Sequence, residues 1–261
     1  ENSSSDSVQV KLKLALILID KKMYDKALIR LEELSSLVPE SDKVKFYLAS
    51  LYQETKKYDL AVKNYLAIHS SSKHYEDSVK NAAFLMKEIG QYTQGTSLLS
   101  KLVKEFPENI QNHIAYAQLL EDGRKYSEGI DVLKLAAQKF PSDANVPYFL
   151  GTLYDKLNDK ENMFKYMNKS LSLDVNHVQT LNYLAYSLLE AQKDLDKAEQ
   201  YALKAHSLDE SDPYIIDTVG WLYYQKGEYQ KALSFLEKAH LVVPDVAVIA
   251  DHLGDVYVKL N

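Results

Sequence analysis

Seven histidines, His69, His74, His113, His177, His206, His240 and His252, are the side chains of this sequence best suited to metal ligation or to proton transfer near neutral pH. Their spacing suits neither. Most fall far apart along the chain, and no pair shows the HExxH arrangement that sets two imidazoles on one helix face. His69 and His74 flank Ser70-Ser71-Ser72, which reads as a loop. The chain has no cysteine, which removes disulfides, thiolate metal sites and cysteine nucleophiles. Asp209-Glu210-Ser211-Asp212 is an acidic turn without the length or the glycine of a calcium loop, and helix capping accounts for it. No glycine-rich phosphate loop and no nucleophile elbow occurs. The expectation is a chain that is not an enzyme and holds no cofactor or metal. The chemistry left is recognition, and 20 tyrosines with a single tryptophan suit it, since such rings join large contact area to a polar tip.

The elements that would carry these residues are helical. Only 8 glycines and 6 prolines punctuate 261 residues, which suits long helices and argues against a sandwich or barrel. A formal charge of -6, with lysines scattered among carboxylates, argues against nucleic acid as a partner. No stretch is apolar for long enough to span a membrane. The nearest, residues 10–19, is short, carries Lys11 and Lys13, and reads as a core helix. Residues 1–7, with Ser3-Ser4-Ser5-Asp6-Ser7, read as a flexible linker. A start at Glu1 rather than Met implies that a leader, an anchor or a longer N-terminal region precedes it in the natural protein.

The sequence repeats. An aromatic followed three residues later by a small residue recurs as Tyr24/Ala27, Tyr58/Ala61, Tyr92/Gly95 and Tyr126/Gly129, each step 34 residues long. The series continues at Met163, Ala198 and Ala232, and the one step of 35 places an extra residue in the turn 192–195. A second series runs about twelve residues upstream: Leu14-Ala15, Leu48-Ala49, Ala82-Ala83, Tyr116-Ala117, Leu150-Gly151, Leu184-Ala185, Val219-Gly220 and Leu253-Gly254. Small residues at a helix crossing let two backbones approach, and large ones a turn away fill the flanks. Pro39, Pro107, Pro141 and Pro244 then stop four of the second helices.

This pattern resembles the tetratricopeptide repeat, whose 34-residue units are helical hairpins. The resemblance covers about 8–260 and implies an all-α, right-handed superhelical solenoid: units near 8–41, 42–75, 76–109, 110–143, 144–177, 178–212 and 213–246, with a final helix at 247–261. Helix pairs are expected at 8–20 and 24–37, 42–55 and 58–69, 75–89 and 92–105, 109–122 and 126–139, 146–157 and 160–172, 177–191 and 195–207, and 213–226 and 229–241, with a lone helix over 245–260. The family's Trp position is occupied by Lys11, Lys45, Val79, His113, Pro147, Leu181, Ile216 and Ala250. Met163 in place of a small residue predicts wider helix spacing in the fifth repeat. Asp212-Pro213 predicts a capped helix start.

In such folds the first helix of each pair lines the concave face, so the resemblance assigns positions two, five, nine and twelve of each unit to the groove. The N-terminal half then offers Phe46, Ser50, Lys80, Phe84, Ile114 and Gln118. The C-terminal half offers Tyr148, Asp155, Asn182, Tyr186, Tyr214, Asp217, Trp221, Tyr224, Asp251 and Asp255. The expectation is that these bind a protein partner, a peptide segment or a helix. Tyr186, Trp221 and Tyr224 would anchor it, and Asp217, Asp251 and Asp255 would select positive charge. Capture of an acidic C-terminal tail does not fit, because Lys80 lacks the matching Asn and Lys in adjacent units.

The last repeats, with Asn182-Tyr183-Leu184-Ala185-Tyr186, residues 217–224 and residues 252–257, are similar to those of Gram-negative envelope tetratricopeptide-repeat lipoproteins. That similarity implies a periplasmic adaptor that docks a protease or complex, held at the outer membrane by an N-terminal lipid anchor. A cytoplasmic scaffold is the alternative. Val246, Ile249, Val256 and Leu260 are expected to leave an apolar stripe on the final helix. Either the natural chain continues there or the stripe meets another subunit, which would make the protein a homo-oligomer or a structural part of an envelope assembly.

Overall fold

A computed structural model describes residues 2–260, with side chains from Val8 onward. Its contacts divide the chain into two compact bodies, 1–136 and 137–261, where one continuous solenoid over 8–261 was expected. The division falls inside the helix Tyr126–Lys139; a repeat array has neighbour contacts and no global core, so no single place of division is imposed on it.

The N-terminal body holds α1 (Asn2–Asp20), α2 (Tyr24–Leu37), α3 (Asp42–Glu54), α4 (Tyr58–Leu66), α5 (Tyr75–Glu88), α6 (Tyr92–Glu105), α7 (Ile110–Asp122) and most of α8 (Tyr126–Lys139). The C-terminal body holds α9 (Asn145–Lys156), α10 (Lys160–Leu173), α11 (Val178–Glu190), α12 (Leu195–Leu208), α13 (Pro213–Gln225), α14 (Tyr229–Val242) and α15 (Ala247–Leu260). The architecture is all-α, built of stacked tetratricopeptide-type hairpins. Helix α1 begins at Asn2, so the backbone of 2–7, read as a linker, continues the helix, and Glu1 lies outside the described residues. Helix α4 ends at Leu66 rather than at residue 69, where the chain enters the serine-rich turn and Lys45 donates to the Ala67 carbonyl at 3.1 Å. A cation at a helix C-terminus satisfies its orphan carbonyls.

The small residues sit at the crossings. Ala27, Ala61, Ala198 and Ala232 are fully buried, and so are Ala15, Ala49, Ala83 and Ala185. Gly95 lies against backbone: a Cβ there would lie 2.5 Å from the backbone oxygen of Ala83. In the fifth repeat the large residue is on the other helix, with Met163 and Met167 fully buried and Met167 lying over Gly151.

Each hairpin turn uses one left-handed residue: Lys22, Lys56, Gly90, Arg124, Asn158, Gln192 and Gly227. The amide after it bonds back to the first helix, as in Lys57 N–H to Tyr52 O at 2.8 Å, the hydrogen-bond pattern of a Schellman ending. The 192–195 turn holds a second left-handed residue, Asp194 (φ 46°), which is the expected insertion. Pro39, Pro107, Pro141 and Pro244 each follow a helix end by two residues.

Candidate functional site

Five of the ten expected C-terminal groove residues line one cavity of about 660 Å³ in the C-terminal body, a size usual for ligand sites. Helix α11 forms its floor with Val178, Gln179, Asn182, Tyr183 and Tyr186. Four of these follow the i, i+3, i+4, i+7 spacing that puts side chains on one helix face. Helix α9 supplies Tyr148, and the end of α12 with the following turn supplies Leu208, Asp209 and Asp212. Helix α13 supplies Tyr214, Ile215, Asp217 and Thr218, and α15 closes one side with Val248.

The local sequence fixes these side chains. Asp212 caps α13, accepting from the amides of Tyr214 (2.8 Å) and Ile215 (3.2 Å), and Pro213 follows at the first helical position. Asp209 accepts from the Ser211 hydroxyl, the Ser211 amide and the Asp212 amide. The bonds from Ser211 hold its carboxyl below the ordinary aspartate value. Tyr214, at the helix start, is 51% exposed. Burial, with Glu190 and Asp217 nearby, pushes the Tyr186 hydroxyl up to about 12, so it stays protonated. Asn182 is half-buried, and its Oδ1 has no hydrogen-bond partner among the described residues.

The structure places the other five elsewhere, and it engages Asp217 within the cavity wall. Trp221 is buried: its indole stacks between Tyr224 (4.5 Å) and His252 (4.1 Å), and its N–H donates to Glu190 at 3.1 Å. It therefore packs under α15, and its ring does not face the groove as expected. Tyr224 takes part in the same stack. Asp217 is at the cavity wall, yet it too is buried and accepts from His252 Nδ1 at 2.9 Å. Asp155 accepts from the Tyr183 hydroxyl at 2.6 Å and pairs with Lys160. Asp251 and Asp255 are exposed on α15 and line no part of this cavity.

Beneath the cavity lies a buried polar chain that sequence reading missed. His177 caps α11, its Nδ1 accepting from the Thr180 amide (3.3 Å) and the Thr180 hydroxyl (2.8 Å), and its Nε2 faces Asn145 Oδ1 at 3.2 Å. Burial lowers its pKa, which favours the neutral ring that this cap requires. Ser170 lies within 2.8 Å of both the Thr180 hydroxyl and the Ala144 carbonyl. A signal for such partners did exist. Asp217 and His252 are 35 residues apart, Asn145 and His177 are 32 apart, and Trp221 and Glu190 are 31 apart, each close to one repeat.

A larger cavity of about 900 Å³ opens in the N-terminal body among Leu12, Leu16, Val44 and the lysines 11, 13 and 43, and no expected site residue lines it. The expected groove residues of that half are largely engaged. Phe46 stacks on His74 at 4.6 Å, the Ser50 and Tyr65 hydroxyls lie 3.0 Å apart, and Ile114 is buried. Among the described residues no helix is long and apolar enough to cross a membrane.

A profile of the tetratricopeptide repeat matches residues 146–177 and 217–239, the segments that carry α9–α10 and most of α13–α14. A TPR repeat-containing protein of Pseudomonas aeruginosa is 28% identical over 82% of this chain and 36% of its own length. The anaphase-promoting complex subunit CDC16 of Saccharomyces cerevisiae is 26% identical over 48% of this chain and 20% of its own. The chain thus spans about a third or less of these relatives. A tetratricopeptide repeat protein of Parabacteroides merdae superposes with a TM-score of 0.71 at 15% identity, covering 98% of this chain and 100% of the other. The APC/C hetero-tetramer Cut9–Hcn1 superposes at 0.65 and 17% identity, over 100% of this chain and 51% of that one. Two segments of the chain thus match the tetratricopeptide-repeat model, and the superpositions show the same all-α repeat fold along the chain.

Proposed function

We propose that this chain is a non-enzymatic scaffold that holds a segment of a protein partner in the groove of its C-terminal body. The observation that carries this reading is the cavity itself, with Tyr148, Tyr186 and Tyr214 as walls and polar groups at its floor and rim. Rigid aromatic walls with a few fixed polar groups give contact area at low entropic cost. The family relation supports protein binding in general terms. One of the relatives is by name a subunit of a multiprotein complex, which fits a scaffold. An adaptor docking a protease or complex in the bacterial envelope is the finer form of this proposal. It rests on the likeness of residues 182–186, 217–224 and 252–257 to envelope repeats. The test is a pull-down from source-cell envelope and soluble fractions with the parent chain and a Tyr186→Ala/Tyr214→Ala variant of equal helicity. A partner kept by the parent and lost by the variant supports groove binding. Equal retention by both would sink it. Recovery from the envelope fraction alone supports the finer form.

A second reading has its own observation. Leu241 and Val258 are 84% and 76% exposed, and Val242, Val248 and Tyr257 are exposed with them on α14 and α15. This is not the stripe expected from sequence, because Ile249 and Val256 are fully buried against α13 and α14, with Val246 and Leu260 packed beside them. The reading is self-association, or assembly as a structural component, through these exposed apolar side chains. A mass by light scattering that stays monomeric at high concentration would remove the self-association form.

A further inference from the structure

We infer that the C-terminal groove selects an arginine side chain on the extended segment it binds, enclosing the guanidinium between tyrosine rings and the carboxylates of the α12–α13 turn. This rests on the groove-binding reading and deepens it.

The first ground is charge. The cavity lining includes three carboxylates, Asp209, Asp212 and Asp217, and no lysine, arginine or histidine. Asp217 is already matched by His252 behind the wall, which leaves Asp209 and Asp212 as the uncompensated pair. Both are partly covered where they line the cavity. Their geometry is set before any ligand arrives, because each is held by backbone amides. Fixed acceptors need no reordering on binding.

The second ground is the remaining surface, which also accepts hydrogen bonds. Tyrosine faces carry negative potential and attract cations, with planar guanidinium the better fit to a flat wall. Tyr148, Tyr186 and Tyr214 come from three different helices and meet at this one cavity. Asn182 lines the same space. A guanidinium brings five donors in a fixed fork, which suits the fixed aspartate acceptors. Lysine offers the charge without the planar fork, and glutamine offers donors without the charge. The expected order is arginine, then lysine, then glutamine.

The test pans the whole chain against displayed random peptides. Retained clones are then measured on two variants, Tyr186→Ala/Tyr214→Ala and Asp209→Asn/Asp212→Asn. Asparagine caps helices and turns as well as aspartate does, so the second variant removes charge while keeping the fold, and circular dichroism checks that it does. The expected result is that tyrosine-dependent clones are rich in arginine. They should bind the asparagine variant about tenfold more weakly and weaken with added salt. Replacing that arginine by glutamine in a clone should cost about the same factor. Tyrosine-dependent clones without an arginine excess, bound equally by the asparagine variant, would overturn this inference and leave groove binding standing. Clones that never depend on the tyrosines would overturn both.

Discussion

Trp221 loses nearly all of its accessible surface between Tyr224 and His252, and its indole N–H is engaged by Glu190. Cutting it to alanine should cost about 3–5 kcal/mol of stability, as large buried aromatics do, and chemical denaturation measures it. Tyr214→Ala should do the reverse. Its ring is half exposed, so stability should move by about 0.5 kcal/mol or less while peptide affinity falls. If Trp221→Ala proved neutral to stability, the stacked arrangement would be wrong. His177 makes a pH prediction. Its pKa is lowered in the fold, so the unfolded chain binds the proton more readily. Stability should therefore be full above the unfolded value, about 6.5, and fall as pH drops through it, levelling off below the folded pKa. His177→Asn keeps a capping side chain and should flatten that slope in urea titrations followed at several pH values. The burial of Trp221, expected from sequence to face the groove, has a physical reason. Periodicity assigns a residue to a helix face, but whether the next helix covers that face depends on a partner one repeat away. Here the partner is His252 on α15, about one repeat away.

At the scale of helices and turns the sequence was far more legible. Small crossing residues and prolines repeat with the period of the fold, so the helix boundaries follow from counting. Gly95 tests the crossing argument. Alanine gains about 1 kcal/mol of helix propensity over glycine, but its Cβ would press on the Ala83 backbone oxygen at 2.5 Å. Overpacking against backbone costs about 1–3 kcal/mol, so Gly95→Ala should lower stability on balance, although four other repeats carry alanine at that place. The turns test the backbone. Gln192 sits at φ 50°, where Gly90 and Gly227 occupy the equivalent positions of their own repeats. Gln192→Gly removes a strain of about 1–2 kcal/mol and adds unfolded-state entropy, for a net gain of roughly 0.5–1 kcal/mol in thermal or urea unfolding. The extra residue in that turn was legible from the single step of 35. The early end of α4 was not, because the cap from Lys45 comes from another helix, 22 residues before the carbonyl it serves.

Over the whole molecule, the principal helix contacts within each body join helices one or two places apart, and the core is a string of clusters along the chain, one larger cluster over Leu12–Met86 and smaller ones after it. Such an array has no central residue on which every repeat depends, and its stability is close to a sum of repeat and neighbour terms. The groove is built within α9 to α15, so what shapes it should be local as well. Leu31 offers the sharpest test. It is fully buried in the first repeat, and Leu31→Ala should cost about 2–5 kcal/mol there. If stability is carried repeat by repeat, hydrogen exchange in that variant should rise across α1 to α3 and stay unchanged in α11 and α13. Affinity for any peptide that binds the groove should also stay at the parent value. A rise in exchange across α11 and α13, or a matching loss of peptide affinity, would mean that the two bodies unfold as one cooperative unit and that the groove depends on repeats remote from it in sequence.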